Sequence, residues 1–98
     1  MVPAATPAAP PETRRSGFLD DQQWDEIART LRLSAREFEI VRCIVDGCSE
    51  ARIAERLGIS IHTVHTHLER LYRKLAVSNR SDLVVRLFAT HIALGRPG

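Results

Sequence analysis

Two cysteines in 98 residues, Cys43 and Cys48, are too few and too close together to build the disulfide framework of a small secreted domain. They read as reduced thiols. No apolar run approaches the roughly 20 residues that cross a bilayer, and Met1 is followed by a Pro/Ala stretch where a secretion leader would have a basic segment and an apolar core. A cytoplasmic location without a membrane partner is expected. The chain also lacks a glycine-rich phosphate loop and any nucleophile and base at a supporting spacing, so it does not read as an enzyme. His62 and His65 can share a helical face, but His67 points elsewhere, and no metal, cofactor or small-molecule ligand is expected. Alternating strand-like runs are missing too, which leaves an all-α class. Net charge is small, formally +2. It is also uneven: residues 1–32 carry four Arg against five acids, whereas 33–98 carry ten Lys/Arg against seven. That excess permits a polyanion partner without demanding one.

Four of the five prolines fall within Met1–Pro11. With the polar run that follows, residues 1–17 cannot bury enough apolar surface to offset their ordering entropy, and they read as a disordered tail. Residues 18–32 hold an additional amphipathic helix, about 20–31: Trp24, Ile27, Ala28 and Leu31 recur at helical spacing behind Asp20 and Asp21, anions suited to a helix start. Residues 33–94 read as the main domain and 95–98 as a C-terminal coil.

Within the main domain the helix boundaries are marked by side chains. Ser34 with Glu37 is a capping box, followed by Phe38, Val41, Ile44 and Val45 on one face and stopped at Gly47. Ser49 caps a brief helix that turns Ile53, Ala54 and Leu57 inward and ends at Gly58. Ser60 caps the next, with Val64, Leu68, Leu71 and Leu75 as its core face. Asn79 and Asp82 open a last helix of about 80–94.

Two short helices joined by a three-residue turn containing glycine form a helix-turn-helix pattern. The outward face of its second helix is polar throughout: His62, His65, Thr66, Glu69 and Arg73 lie along it, flanked by Thr63 and Arg70. Each can hydrogen-bond to a base edge or a phosphate. Together with the basic end at Arg70, Arg73 and Lys74, this points to a helix that reads double-stranded DNA.

The blocks Leu33–Val41, Gly47-Cys48-Ser49, Ile53–Ser60, Thr63–His67 and Lys74–Arg80 resemble the successive blocks of the LuxR-type (GerE-type) helix-turn-helix domain, with unbroken spacing over about 33–94. The resemblance implies a four-helix DNA-binding domain of transcriptional regulators that binds inverted half-sites as a homodimer through its last helix. It places His65, Thr66 and Glu69 at the bases, with His62 and Arg70 as further base-reading candidates. Thr63, Arg73, Lys74, Arg52 and Ser49 are the phosphate candidates, and His67 falls at the family's usual, half-buried histidine. The chain departs from the family pattern in three places. His65 stands where Lys or Arg is usual, Glu50-Ala51-Arg52 replaces Asn-Lys-Glu, and Ala76 replaces a common Gly. A permanent cation thus gives way to an imidazole, which titrates near neutral pH, and pH-sensitive binding is expected.

The last helix has two apolar stripes. Leu83, Val84, Leu87 and Leu94 suit the core; Val85, Phe88, Ala89 and Ile92 need cover from elsewhere. A second copy would supply it, or the additional helix with Trp24 would cover the stripe within one chain. The rival to a DNA-binding regulator is an adaptor or anti-regulator that pairs with other regulators through 80–94. Residues 1–32 are too short for a receiver or a ligand-binding domain, so regulatory input is expected through a partner, unless the regulator stands alone.

Overall fold

Residues 19–95 are described by the structure, a computed structural model. The tail expected over 1–17 and most of the coil expected over 95–98 lie outside the described residues. Five α-helices follow one another: α1 (Asp21–Thr30), α2 (Ala35–Val45), α3 (Glu50–Leu57), α4 (Ile61–Leu75) and α5 (Arg80–Gly95).

Each start is fixed by a side chain that satisfies an amide the helix leaves unpaired. Asp20 Oδ1 accepts from the Gln23 N–H at 2.8 Å while Gln23 Oε1 accepts from the Asp20 N–H at 2.9 Å. Ser34 and Glu37 make the same reciprocal pair at 3.1 and 2.8 Å. Ser49, Ser60 and Asn79 each accept from the N–H three residues on.

The helix exits share one device. After α1, α2, α3 and α4 a residue turns left-handed, and the next N–H reaches back five residues: Leu33 to Ala28, Cys48 to Cys43, Ile59 to Ala54, Val77 to Tyr72. The left-handed residues are Arg32, Gly47, Gly58 and Ala76. Gly58, at φ 68°, has open space where a Cβ would stand, so the turn asks for glycine by backbone conformation and not by crowding. Ala76 holds the same conformation, φ 59° and ψ 43°, with a Cβ. A left-handed L-residue costs about 1–2 kcal/mol and glycine's extra freedom when unfolded returns about half. Ala76→Gly is therefore expected to stabilise the fold by about 0.5–1 kcal/mol and raise the thermal midpoint by a few degrees, read by circular dichroism.

One hydrophobic cluster joins all five helices: Leu19, Trp24 and Ile27; Ile40, Val41, Cys43 and Ile44; Ile53 and Ala54; Val64, Leu68, Leu71 and Leu75; Leu83 and Leu87. Two details differ from the expected faces. On α2 the buried set is Ile40, Val41, Cys43 and Ile44, whereas Phe38 and Val45 are half-buried. Phe38 meets the Trp24 ring edge-on at 5.9 Å, and the Arg42 guanidinium lies 5.3 Å from the Trp24 ring and 5.7 Å from that of Phe38. This rim, supplied by α1, shifts the face. Leu94, expected in the core, is 43% exposed near the end of α5. Among the described residues no helix is long and apolar enough to cross a membrane.

Candidate nucleic-acid interface

The α3 and α4 helices are joined by Gly58-Ile59-Ser60 and pack directly on each other. Ile53, Ala54, Val64 and Leu68 are buried between them and the rest of the core. This fixes which face of α4 turns outward. His62, His65, Glu69, Arg70 and Arg73 are all exposed along it, and Thr66 is half-buried. The Thr66 hydroxyl donates to the His62 carbonyl at 3.1 Å, which restrains its rotamer and leaves its oxygen free to accept.

At the start of the helix, Thr63 and Ser60 share a hydroxyl hydrogen bond of 2.8 Å, and Ser60 also accepts the Thr63 N–H at 3.0 Å. Ser49 is likewise occupied as the cap of α3, on the Arg52 N–H at 3.1 Å. The Arg52 guanidinium pairs with Glu55 at 3.2 Å, an exposed contact that an incoming phosphate can replace at little cost. His67 is half-buried.

His65 has two acidic neighbours. Its Nε2 lies 3.2 Å from Glu69 Oε2, one turn along α4, and its Nδ1 lies 3.6 Å from Glu50 Oε1, in the first turn of α3. Glu69 therefore has an imidazole against it before any partner arrives. Glu50 also acts on Tyr72: burial first, and then the Glu50 charge, push its phenol above the ordinary value, against the pull of Arg80.

Lys74 is placed differently from the phosphate contact expected of it. Its ammonium donates to the Arg32 carbonyl and sits 2.7 Å from Glu37 Oε1, so it clasps the far end of α4 to the turn between α1 and α2. Glu37 feels both sides of this arrangement. Burial works to raise its pKa, but the Lys74 ammonium and the Ser34 hydrogen bonds outweigh it and hold the carboxyl below its usual range. Lys74→Ala is accordingly expected to cost about 1 kcal/mol of stability and to leave the salt dependence of any duplex binding unchanged. Because the folded carboxyl ionises more readily than the unfolded one, the difference from wild type is full at neutral pH. It fades as pH falls through Glu37's folded value. Urea titrations at several pH values check both statements.

Arg70 and Arg73, by contrast, are exposed and make no ion pair among the described residues. The links to Lys74, and the one between Glu50 and His65, had no signal in the sequence, since no periodicity relates a side chain to a partner brought near only by folding. Among the described residues no three or more His, Cys, Asp or Glu side chains gather as a metal site.

On α5, Val85 and Ile92 are 67% and 60% exposed, Ala89 is exposed and Phe88 is half-buried. The α1 helix packs against α5, yet it does not cover this stripe.

Over residues 22–87 the chain matches the family model for bacterial regulatory proteins of the luxR family. The matched span begins inside α1. The chain is 44% identical over 64 residues to a probable transcriptional regulatory protein, SgaR, of Hyphomicrobium methylovorum, covering 65% of this chain and 28% of that protein. It is 36% identical over 67 residues to the HTH-type transcriptional regulator MalT of Klebsiella pneumoniae, covering 68% of this chain and 7% of that protein. For MalT of Vibrio campbellii the figures are 37% over 60 residues, 61% and 7%. The chain thus spans less than a third of the length of these relatives. No solved structure matches it.

Proposed function

Because the chain belongs to the luxR family of bacterial regulatory proteins, we propose that it is a sequence-specific DNA-binding regulator that sets the outward face of α4 into the major groove, as a homodimer on inverted half-sites. The observation that carries this reading is that His62, His65, Glu69, Arg70 and Arg73 form a polar face left exposed by the described residues. Base contacts fall to His62, His65, Thr66, Glu69 and Arg70; backbone contacts to Arg52, Thr63, Arg70 and Arg73, with Ser49 at the edge. The interleaved acids Glu50, Glu55 and Glu69 hold the net positive field down, so the salt slope should be modest.

The exposed stripe of Val85, Ala89 and Ile92, with Phe88 beside it, supports pairing of two copies through α5, which would seat two α4 helices about one helical turn of DNA apart. Selection of bound duplexes from a random pool tests the whole reading. Two-fold symmetric sites are the expected outcome. The adaptor reading gains instead if duplex binding is absent or insensitive to salt while α5 captures a partner regulator.

A further inference from the structure

Cys43 and Cys48 are brought together by the turn that ends α2. The Cys48 N–H donates to the Cys43 carbonyl at 3.0 Å, the Gly47 N–H donates to the Ile44 carbonyl at 2.9 Å, and Gly47 is left-handed at φ 86°. In this turn the side chains of the first and last residues meet, commonly as an apolar contact. Here both are cysteines, and Cys48 is among the neighbours that act on the Cys43 thiol. Backbone groups paired in this way hold the two Cα atoms within about the separation that a disulfide spans.

Their surroundings differ. Cys43 is 4% exposed, and burial pushes its thiol up, against a smaller pull from the Arg56 charge. Cys48 is half-buried, and Arg56 Nη1 donates to its sulfur at 3.2 Å. The same guanidinium lies 3.7 Å from Asp46. Arg80, at the start of α5, donates to the Cys48 carbonyl and pins the turn from the other side. Cys48 therefore has a cation at its sulfur and is only half-buried, whereas Cys43 is buried.

We propose that Cys48 and Cys43 are a redox-active pair in which Cys48 reacts first with a peroxide and Cys43 resolves the product into an intrachain disulfide. The Cys48 sulfur attacks one oxygen of hydrogen peroxide. The O–O bond breaks, the departing hydroxide takes the thiol proton and leaves as water, and Cys48 becomes a sulfenic acid. The Cys43 sulfur then attacks the Cys48 sulfur. An S–S bond forms, the S–O bond breaks, and hydroxide leaves with the Cys43 proton as a second water. Two thiols lose two electrons and two protons, and one peroxide becomes two waters. The bond would lie one residue before Ser49, the cap of α3, which places it at the base of the helix-turn-helix but makes its formation independent of any duplex.

The test uses the full reduced chain treated with hydrogen peroxide. Both thiols are expected to disappear together, with a mass lower by two hydrogens and no chain-linked dimer on a non-reducing gel. Cleavage after Arg42 and Arg52 releases both cysteines on one peptide, so the internal bond is read directly in the wild-type chain. Cys43→Ser and Cys43→Ala should instead hold Cys48 as a sulfenic acid that dimedone labels. Cys48→Ser should lose its remaining thiol roughly tenfold more slowly than wild type. Dimers in place of the internal bond, lasting dimedone label on the wild type, or equal rates for Cys48→Ser would each overturn the proposal.

Discussion

Trp24→Ala is expected to destabilise the chain by about 3–5 kcal/mol, the usual cost of emptying a buried tryptophan site. The ring is 2% exposed, beside Ile27 at 0%, and it also carries the edge contact with Phe38 and the Arg42 guanidinium over its face. Domains of this size are stable by roughly 0.05–0.15 kcal/mol per residue, so the loss takes a large share of what holds the fold together. Urea unfolding followed by circular dichroism would show the midpoint collapsing, with helix signal lost from the whole chain and not from α1 alone. A loss below about 1 kcal/mol would mean that α1 is an attachment and not a wall of the core.

The second large effect concerns recognition. Glu69→Ala and Thr66→Ala are each expected to change which sequence is preferred, by about 1–3 kcal/mol at one base position. Glu69 already lies against His65, so removing it also frees the imidazole to turn. The double variant with His65→Ala should therefore fall short of the sum of the two single changes. Arg73→Ala should behave otherwise, weakening all duplexes about equally and lowering the salt slope by about one. If Arg73→Ala changes sequence choice and Glu69→Ala does not, the division of α4 into base-reading and backbone-contacting residues is reversed.

Helix starts were legible because a cap is a local event: Ser34 with Glu37, Ser49, Ser60 and Asn79 each meet a partner three residues away. The exits at Gly47 and Gly58 were legible because glycine announces a left-handed turn. Arg32, which makes the same turn without glycine, gave no such notice. The outward face of α4 followed from the spacing of Val64, Leu68, Leu71 and Leu75, since whatever lies opposite a buried stripe must face away. What lay beyond reach was side-chain chemistry decided by tertiary neighbours. Lys74 looks like any lysine at a basic helix end, and only the fold brings it to Glu37 and the Arg32 carbonyl. The α2 face was legible in part: Val41 and Ile44 are buried and Phe38 and Val45 pack against the core from its edge, where Phe38 meets Trp24, a partner on another helix.

The moorings of α4 bear on the thermodynamics of recognition. Its first turn is held by the paired hydroxyls of Ser60 and Thr63, and its last by Lys74 reaching across to the α1–α2 turn. A rod fixed at both ends has little backbone freedom left to surrender on meeting a ligand, so the entropy lost in forming a complex is confined to the outward side chains. Specificity can then be altered by exchanging those side chains one at a time, without disturbing how the rod is presented.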